Sequence, residues 1–504
     1  VSAKPAKETF ALGNLFATHC IQCHGKEGKV KGKVDLLKYS EGADLSEDSE
    51  LLQAVLDVID FGEMPPEDEE QIPLKVRDSA LEHLQGLLKA ALAQDAEFPV
   101  TRIRRMNRFQ YANAVQDLLG LKVSVFPLPE RMMRDRSGYF AKAIKEGMPD
   151  TLTVSSRPLG KSGLIEPRLS GVGPFPQDLR AEHGYDNQAD HLSLSPILME
   201  AFFKLSRTIV RSSTFGPKSV GIWTDFFQAP ADAEKTPQIL SERLSAFLTK
   251  AFRKPVGKET LTRYHSHALG RIEAGVPFED AMKEVVSAVI ASPRFLYLYD
   301  SLGEEATEPV REHFLASRLS FFLWGSLPDG ELLDLARDGT LSDPKVLEGQ
   351  VDRMLSDPKL KRFCDSFPTQ WLQLDRIISS VPDEKAYPDF YYAPPSYRTT
   401  MDMMMEPLLL FETVLLEDRT VLEFIDANYT YRSARLRKWL GEEPGDKIGG
   451  PVTMKFFRQP LSDRRQGGMI TNSAVMTMTS GPHETKPITR GAWLAGVIFN
   501  SPPP

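Results

Sequence analysis

The stretch Cys20-Ile21-Gln22-Cys23-His24 constrains this chain more than any other. Two thiols one helical turn apart can each add to a vinyl group, and the imidazole that follows then falls beneath the metal of the same macrocycle. That is the attachment pattern of a c-type haem. A bare Cys-x-x-Cys would fit a redox motif or half a zinc site equally well. The adjacent histidine narrows the reading, and with three cysteines in the chain no second pair exists to complete a zinc site. The residues therefore predict one covalent haem c, held through Cys20 and Cys23, with His24 as an axial ligand.

Residues 1–97 read as the small c-type cytochrome domain that carries this motif. A helical period runs from Phe10 to Cys20, a Gly- and Lys-rich loop covers 25–44, and helices are predicted over 49–61 and 74–92. Between the last two lies Gly62-Glu63-Met64-Pro65-Pro66, where the prolines forbid helix continuation. Met64, on a stiff loop some 40 residues past the motif, is the candidate sixth ligand. A Met/His axial pair raises the potential and favours electron transfer over oxygen chemistry. The alternatives are an open position or ligation by His83. His19 cannot reach across the ring and is expected at the surface.

After Pro99 the chain becomes a large multi-helical body with long irregular loops, so the fold class is mainly α. Helices are expected over 101–121, 197–211, 240–252, 260–274, 278–291, 312–324, 329–337, 345–356, 360–374 and 398–416. The regions 126–190 and 212–237 lack a sustained period, and an irregular stretch as long as the first usually wraps a surface or serves a site. Domain boundaries are placed at 98–237, 238–303, 304–440 and 441–504. The last segment is loop-rich with strand-like pieces, such as 475–478, before the helical stretch that precedes Ser501-Pro502-Pro503-Pro504. Met401, Met403, Met404 and Met405 are expected to fill gaps in a core. Cys364, without a partner, is expected to be a buried inert thiol. His265 and His267, two apart on a helix, make a poor metal pair.

At net charge −8 the chain carries no basic stripe, which argues against nucleic acid as a partner. No run approaches the 18 apolar residues of a membrane span. Haem attachment takes place outside the cytoplasm, so a periplasmic or otherwise exported location follows from the motif. The start at Val1 points to a processed or trimmed chain.

These phrases also occur together in a known order. CIQCHG with GEMPP, then RMNRFQYANAVQDLLGL with GYDNQADHLSLSP, then AFRKPV with SPRFLYLYD, then ASRLSFFLWGSLPDGELLDLA with DANYTYR, then RRQGGMITNSAVMTMTSGPHETKP, resemble the successive domains of the multidomain cytochromes c of Planctomycetes and related bacteria. The resemblance implies export and haem, and it settles architecture better than chemistry. The insertion near 131–180 is long for that family, and its usual final domain after the proline run is missing here.

The expected function is electron transfer, with the body as docking platform for a redox partner protein. The alternatives are a haem-coupled oxidoreductase acting on a small molecule, with Arg464, Arg465 and His483 as candidate residues, and a surface scaffold that binds polysaccharide. A further expectation is that the haem module packs near 463–493, with arginines from the set Arg102, Arg104, Arg105, Arg464, Arg465 and Arg490 meeting the haem propionates.

Overall fold

The computed structural model describes residues 12–28, 30–40, 45–94, 104–128, 133–135, 137–156, 167–178, 180, 184–189, 192, 195–298, 308–392, 399–447 and 454–502. The chain forms two compact units, Val1–Thr101 and Arg102–Pro504. Both are mainly α-helical.

In the first unit the helix Leu12–His19 runs into the haem motif, and the helices Ser49–Asp60 and Leu74–Gln94 pack together beside it. The apolar stripe Leu52, Val55, Leu56 and Ile59 meets Leu15, Phe16, Ala80 and Leu84 in one core. Asp48 caps the second helix by accepting from the Leu51 amide at 3.0 Å, a contribution of about 1 kcal/mol.

The second unit has two main cores. The first gathers mainly residues of 106–298, with Phe321 and Leu327: Tyr111 and Val115 lie on the helix Arg108–Leu119, Phe202 on Pro196–Val210, and Val285 and Val289 on Phe278–Ile290. Tyr111 is fully buried and its ring touches Phe175, Phe202 and Phe295. The irregular stretch after residue 126 is built into this core through Leu169, Val172 and Phe175.

The second core surrounds a small sheet. Strands β1 (Arg104–Arg105), β2 (Met133–Asp135), β3 (Thr151–Ser156), β4 (Tyr297–Leu298), β5 (Tyr429–Ser433) and β6 (Met454–Pro460) form a two-stranded pair, β1-β4, and a four-stranded antiparallel sheet of order β2-β3-β6-β5. Against this sheet lies the helix Thr400–Leu416. Met403, Met404 and Met405 are fully buried there, as gap-fillers in the core. Cys364 is buried in the same core, and burial pushes its thiol well above the ordinary range.

Two expectations are corrected. The helix expected over 101–121 starts later: residues 101–103 lie outside the described residues, Arg104 and Arg105 pair in register with Leu298 and Tyr297, and the helix begins only after Asn107. Asn107 and Gln110 form a reciprocal capping box there, with Asn107 Oδ1 accepting from the Gln110 amide at 2.8 Å. Residues 475–478 are helical rather than strand-like, within Ser473–Met478, whose N-terminus is capped by Asn472. The remainder of the last segment supplies β6 and the helix Pro487–Val497.

Candidate functional site

The haem motif sits where the first helix unwinds. Cys20 donates its amide to the Phe16 carbonyl at 2.9 Å, continuing the helical pattern, and His24 N bonds Cys20 O at 3.1 Å. The turn is then locked by neighbouring backbone: Leu36 N donates to His24 O at 2.7 Å and Lys31 N to Cys23 O at 3.1 Å. Gly25 has φ +150°, and a Cβ there would lie 2.7 Å from Leu37 Cβ and 2.8 Å from Asp35 Oδ1. Only glycine lets the chain leave the histidine in this direction.

His24 Nδ1 lies 3.3 Å from the Val34 carbonyl oxygen. A carbonyl only accepts, so Nδ1 is the donor here, and Nε2 is the nitrogen left for a metal. This is the outer-shell contact that orients metal-binding imidazoles. Cys20 and Cys23 are both free thiols, and burial raises the Cys20 pKa to about 11. Among the described residues no group of three His, Cys, Asp or Glu side chains is arranged to hold a metal ion. The two thiols and the imidazole therefore do not converge as ligands of one ion would.

Met64 follows the helix Ser49–Asp60, its amide bonded to Val58 O at 3.1 Å. Gln71 clamps the proline turn, its side-chain amide donating to the carbonyls of Pro65 at 3.3 Å and Pro66 at 2.7 Å. His19, expected merely at the surface, joins this loop to the motif, its Nδ1 3.2 Å from Glu70 O. Met64 is 38 % exposed, and Val30, Phe61 and Leu74 are exposed apolar side chains of the same unit. An oriented imidazole with a free nitrogen, paired thiols and unburied apolar side chains fit a haem c. His24 would hold its iron, Cys20 and Cys23 would bind its periphery, and Met64 would be a thioether available as a further ligand.

Residues 20–68 match the family described as Planctomycete cytochrome C. Three families described as proteins of unknown function match the body in the same order: DUF1587 at 104–140 and 164–214, DUF1595 at 240–300 and DUF1592 at 310–441. The chain belongs to the Planctomycete-type multidomain cytochrome c family. No curated protein and no solved structure matches it. In this multidomain cytochrome c, residues 141–163 fall between the two matched pieces of the second domain, and they contribute β3 to the sheet.

Of the residues of the body considered for catalysis, the Arg464 side chain lies outside the described residues, and Arg465 and His483 have separate partners. Arg465 is 90 % exposed and pairs with Asp463 at 2.6 Å, and His483 is an exposed side chain 3.9 Å from Asp383. A cavity of about 240 Å³ near Pro482 is lined by Arg376, Ser380 and Lys486 but by none of the candidates. The arginines proposed for haem propionates have other partners. Arg105 is buried with both outer nitrogens on Asp178, Arg104 donates to Asn187 O at 3.2 Å, and Arg490 donates to Thr479 Oγ1 at 3.1 Å. Arg102 and the Arg464 side chain lie outside the described residues.

Charge is instead concentrated on the helix whose methionines were expected to fill a core. The helix Thr400–Leu416 buries Asp402, Glu406 and Glu412. Asp402 takes a two-point contact from Arg435, at 2.8 and 3.0 Å. Glu406 accepts from Arg432 and from the Ser473 amide and hydroxyl. Glu412 meets Lys361 Nζ at 2.6 Å and the Tyr139 hydroxyl at 2.5 Å. Burial raises the pKa of each of these carboxyl groups. Their partners lie 24 to 273 positions away in sequence, so they act as cross-links between the core helix and the rest of the body.

Proposed function

We propose that this protein is an exported mono-haem c-type cytochrome that transfers electrons, its helical body serving as docking platform for a redox partner protein. The observation that carries the reading is the His24 side chain, held by Val34 O with its other nitrogen free, directly after the two thiols. Haem c, when bound, supplies a one-electron couple. The chain's own residues would fix its environment: Cys20 and Cys23 prevent its loss, Val34 O holds the His24 tautomer, and Gln71 stiffens the Met64 turn. Were Met64 and His24 both to hold the iron, the thioether and imidazole would supply a donor pair that suits electron transfer better than oxygen chemistry.

The test is spectroscopic. A pyridine haemochrome assay should return one haem per chain, and the oxidised protein should show a Met–iron charge-transfer band that vanishes in Met64→Ala. A band that survives this substitution, or a chain carrying no covalent haem, overturns the assignment.

A further inference from the structure

The helix Thr236–Phe252 ends, and the helix Lys258–Glu273 begins, on either side of Arg253-Lys254-Pro255-Val256-Gly257. This turn, with Arg294 and with His313 and Phe314 of the helix Glu308–Leu323, walls a cavity of about 390 Å³. That volume is at the small-ligand end of the range for organic binding sites. We propose that this cavity binds an oxyanion, carboxylate or phosphate, carried on a compact apolar body.

Charge is the first argument. Arg253, Lys254 and Arg294 all line the cavity, and among the described residues no acidic side chain does. Neither Lys254 nor Arg294 makes an ion pair with a carboxylate among the described residues. Arg294 instead donates to Thr260 Oγ1 at 2.6 Å, and the Lys254 ammonium lies over the Phe314 ring at 5.7 Å. Burial, with the two neighbouring arginines, lowers the Lys254 pKa, and a bound anion would reverse that.

Backbone geometry is the second. Gly257 is the N-cap of a 16-residue helix and supplies no side-chain cap, so the positive end of that helix dipole opens where Gly257 lines the cavity. Arg253 adopts φ +63°, a left-handed conformation that non-glycine residues hold only where the surroundings enforce it. Its guanidinium is pinned by the carbonyls of Arg294 at 3.1 Å, Phe295 at 3.1 Å and Tyr297 at 2.6 Å. The turn is rigid before any ligand arrives, which lowers the ordering cost of binding. Phe252, Val256 and Phe314 supply the apolar wall.

Calorimetric titration of the full-length haem-loaded protein at low ionic strength, with benzoate and phenyl phosphate as probes, decides it. At least one probe should bind saturably at millimolar concentration, and the stronger identifies the head group. Lys254→Met should weaken binding by about tenfold or more, the usual worth of a charged hydrogen bond. It should also raise the thermal midpoint of the ligand-free protein by removing one of three like charges. Should that variant fold poorly, the thermal shift of the unaltered protein in benzoate, against chloride at equal ionic strength, answers the same question: a rise supports the site and no rise overturns it. Absence of saturable binding by both probes, or equal affinity in Lys254→Met, overturns the proposal.

Discussion

Lys361→Met tests whether the second core depends on its buried charges. Lys361 is buried, and its ammonium meets Asp365 at 2.5 Å and Glu412 at 2.6 Å. Burial disfavours its charge, yet the two carboxylates outweigh that and hold its pKa above the ordinary lysine value. Methionine keeps the stem and removes the ammonium, so the cluster passes from one net negative charge to two in a fully buried site. Breaking a buried pair by deleting one partner costs about 3–5 kcal/mol, and both carboxylates lose their cation here. The loss should depend on pH in a defined direction. Burial already raises the Glu412 pKa, and without Lys361 it rises further, so the folded variant binds more protons than its unfolded chain. Stability then falls as pH increases, and the deficit should be smallest near pH ~5 and grow toward pH ~8. All five tryptophans, Trp223, Trp324, Trp371, Trp439 and Trp493, lie in the second unit. Urea titration followed by their fluorescence therefore reports this unit, while the haem absorbance reports the first. A deficit below ~1 kcal/mol, the worth of an exposed pair, or one that stays flat with pH, would refute the reasoning.

Two further outcomes are expected. Gly25→Ala should lower the haem-loaded fraction of the expressed protein, measured as haem absorbance per chain, because its Cβ collides with Leu37 and Asp35. Asp117 is held at a pKa of about 2: burial works to raise it, but Arg362, in a two-point contact at 2.7 and 2.8 Å, and Lys359 prevail. Its depressed value contributes stability above the ordinary carboxylate range that is lost as pH falls. The gap between the unaltered protein and Asp117→Asn, about 2 kcal/mol at neutral pH by linkage, should therefore narrow below pH ~4 in urea titrations.

The helices of the body were legible because their apolar residues repeat at the helical period. Phe278–Ile290 places Ala281, Met282, Val285, Val286 and Val289 on the buried side, and that stripe needs no partner to be recognised. The pairing of Arg104 and Arg105 could not be read, since what makes them strand is Tyr297 and Leu298 nearly 200 positions on. The capping box Asn107-Arg108-Phe109-Gln110 is a local signal that marks the true helix start. Residues 475–478 form an apolar run too short for either period to be decisive, and the Asn472 cap resolves it. In the haem unit the spacing of Cys20, Cys23 and His24 named the chemistry, but the roles of His19 and Gln71 depend on carbonyls of the Met64 loop that no motif marks.

The sheet order β2-β3-β6-β5 has a consequence for how the body can be divided. β3 finds its central neighbour β6 about 300 residues later, beyond the last position matched to any of the unknown-function families. A fragment cut at residue 441 would retain Leu152 and Val154, both buried against that neighbour, on an open strand edge with free amides, the template for edge-to-edge aggregation. The body is thus a single unit of synthesis: the β2-β3 pair waits with one edge open until β6, about 300 residues later, has emerged.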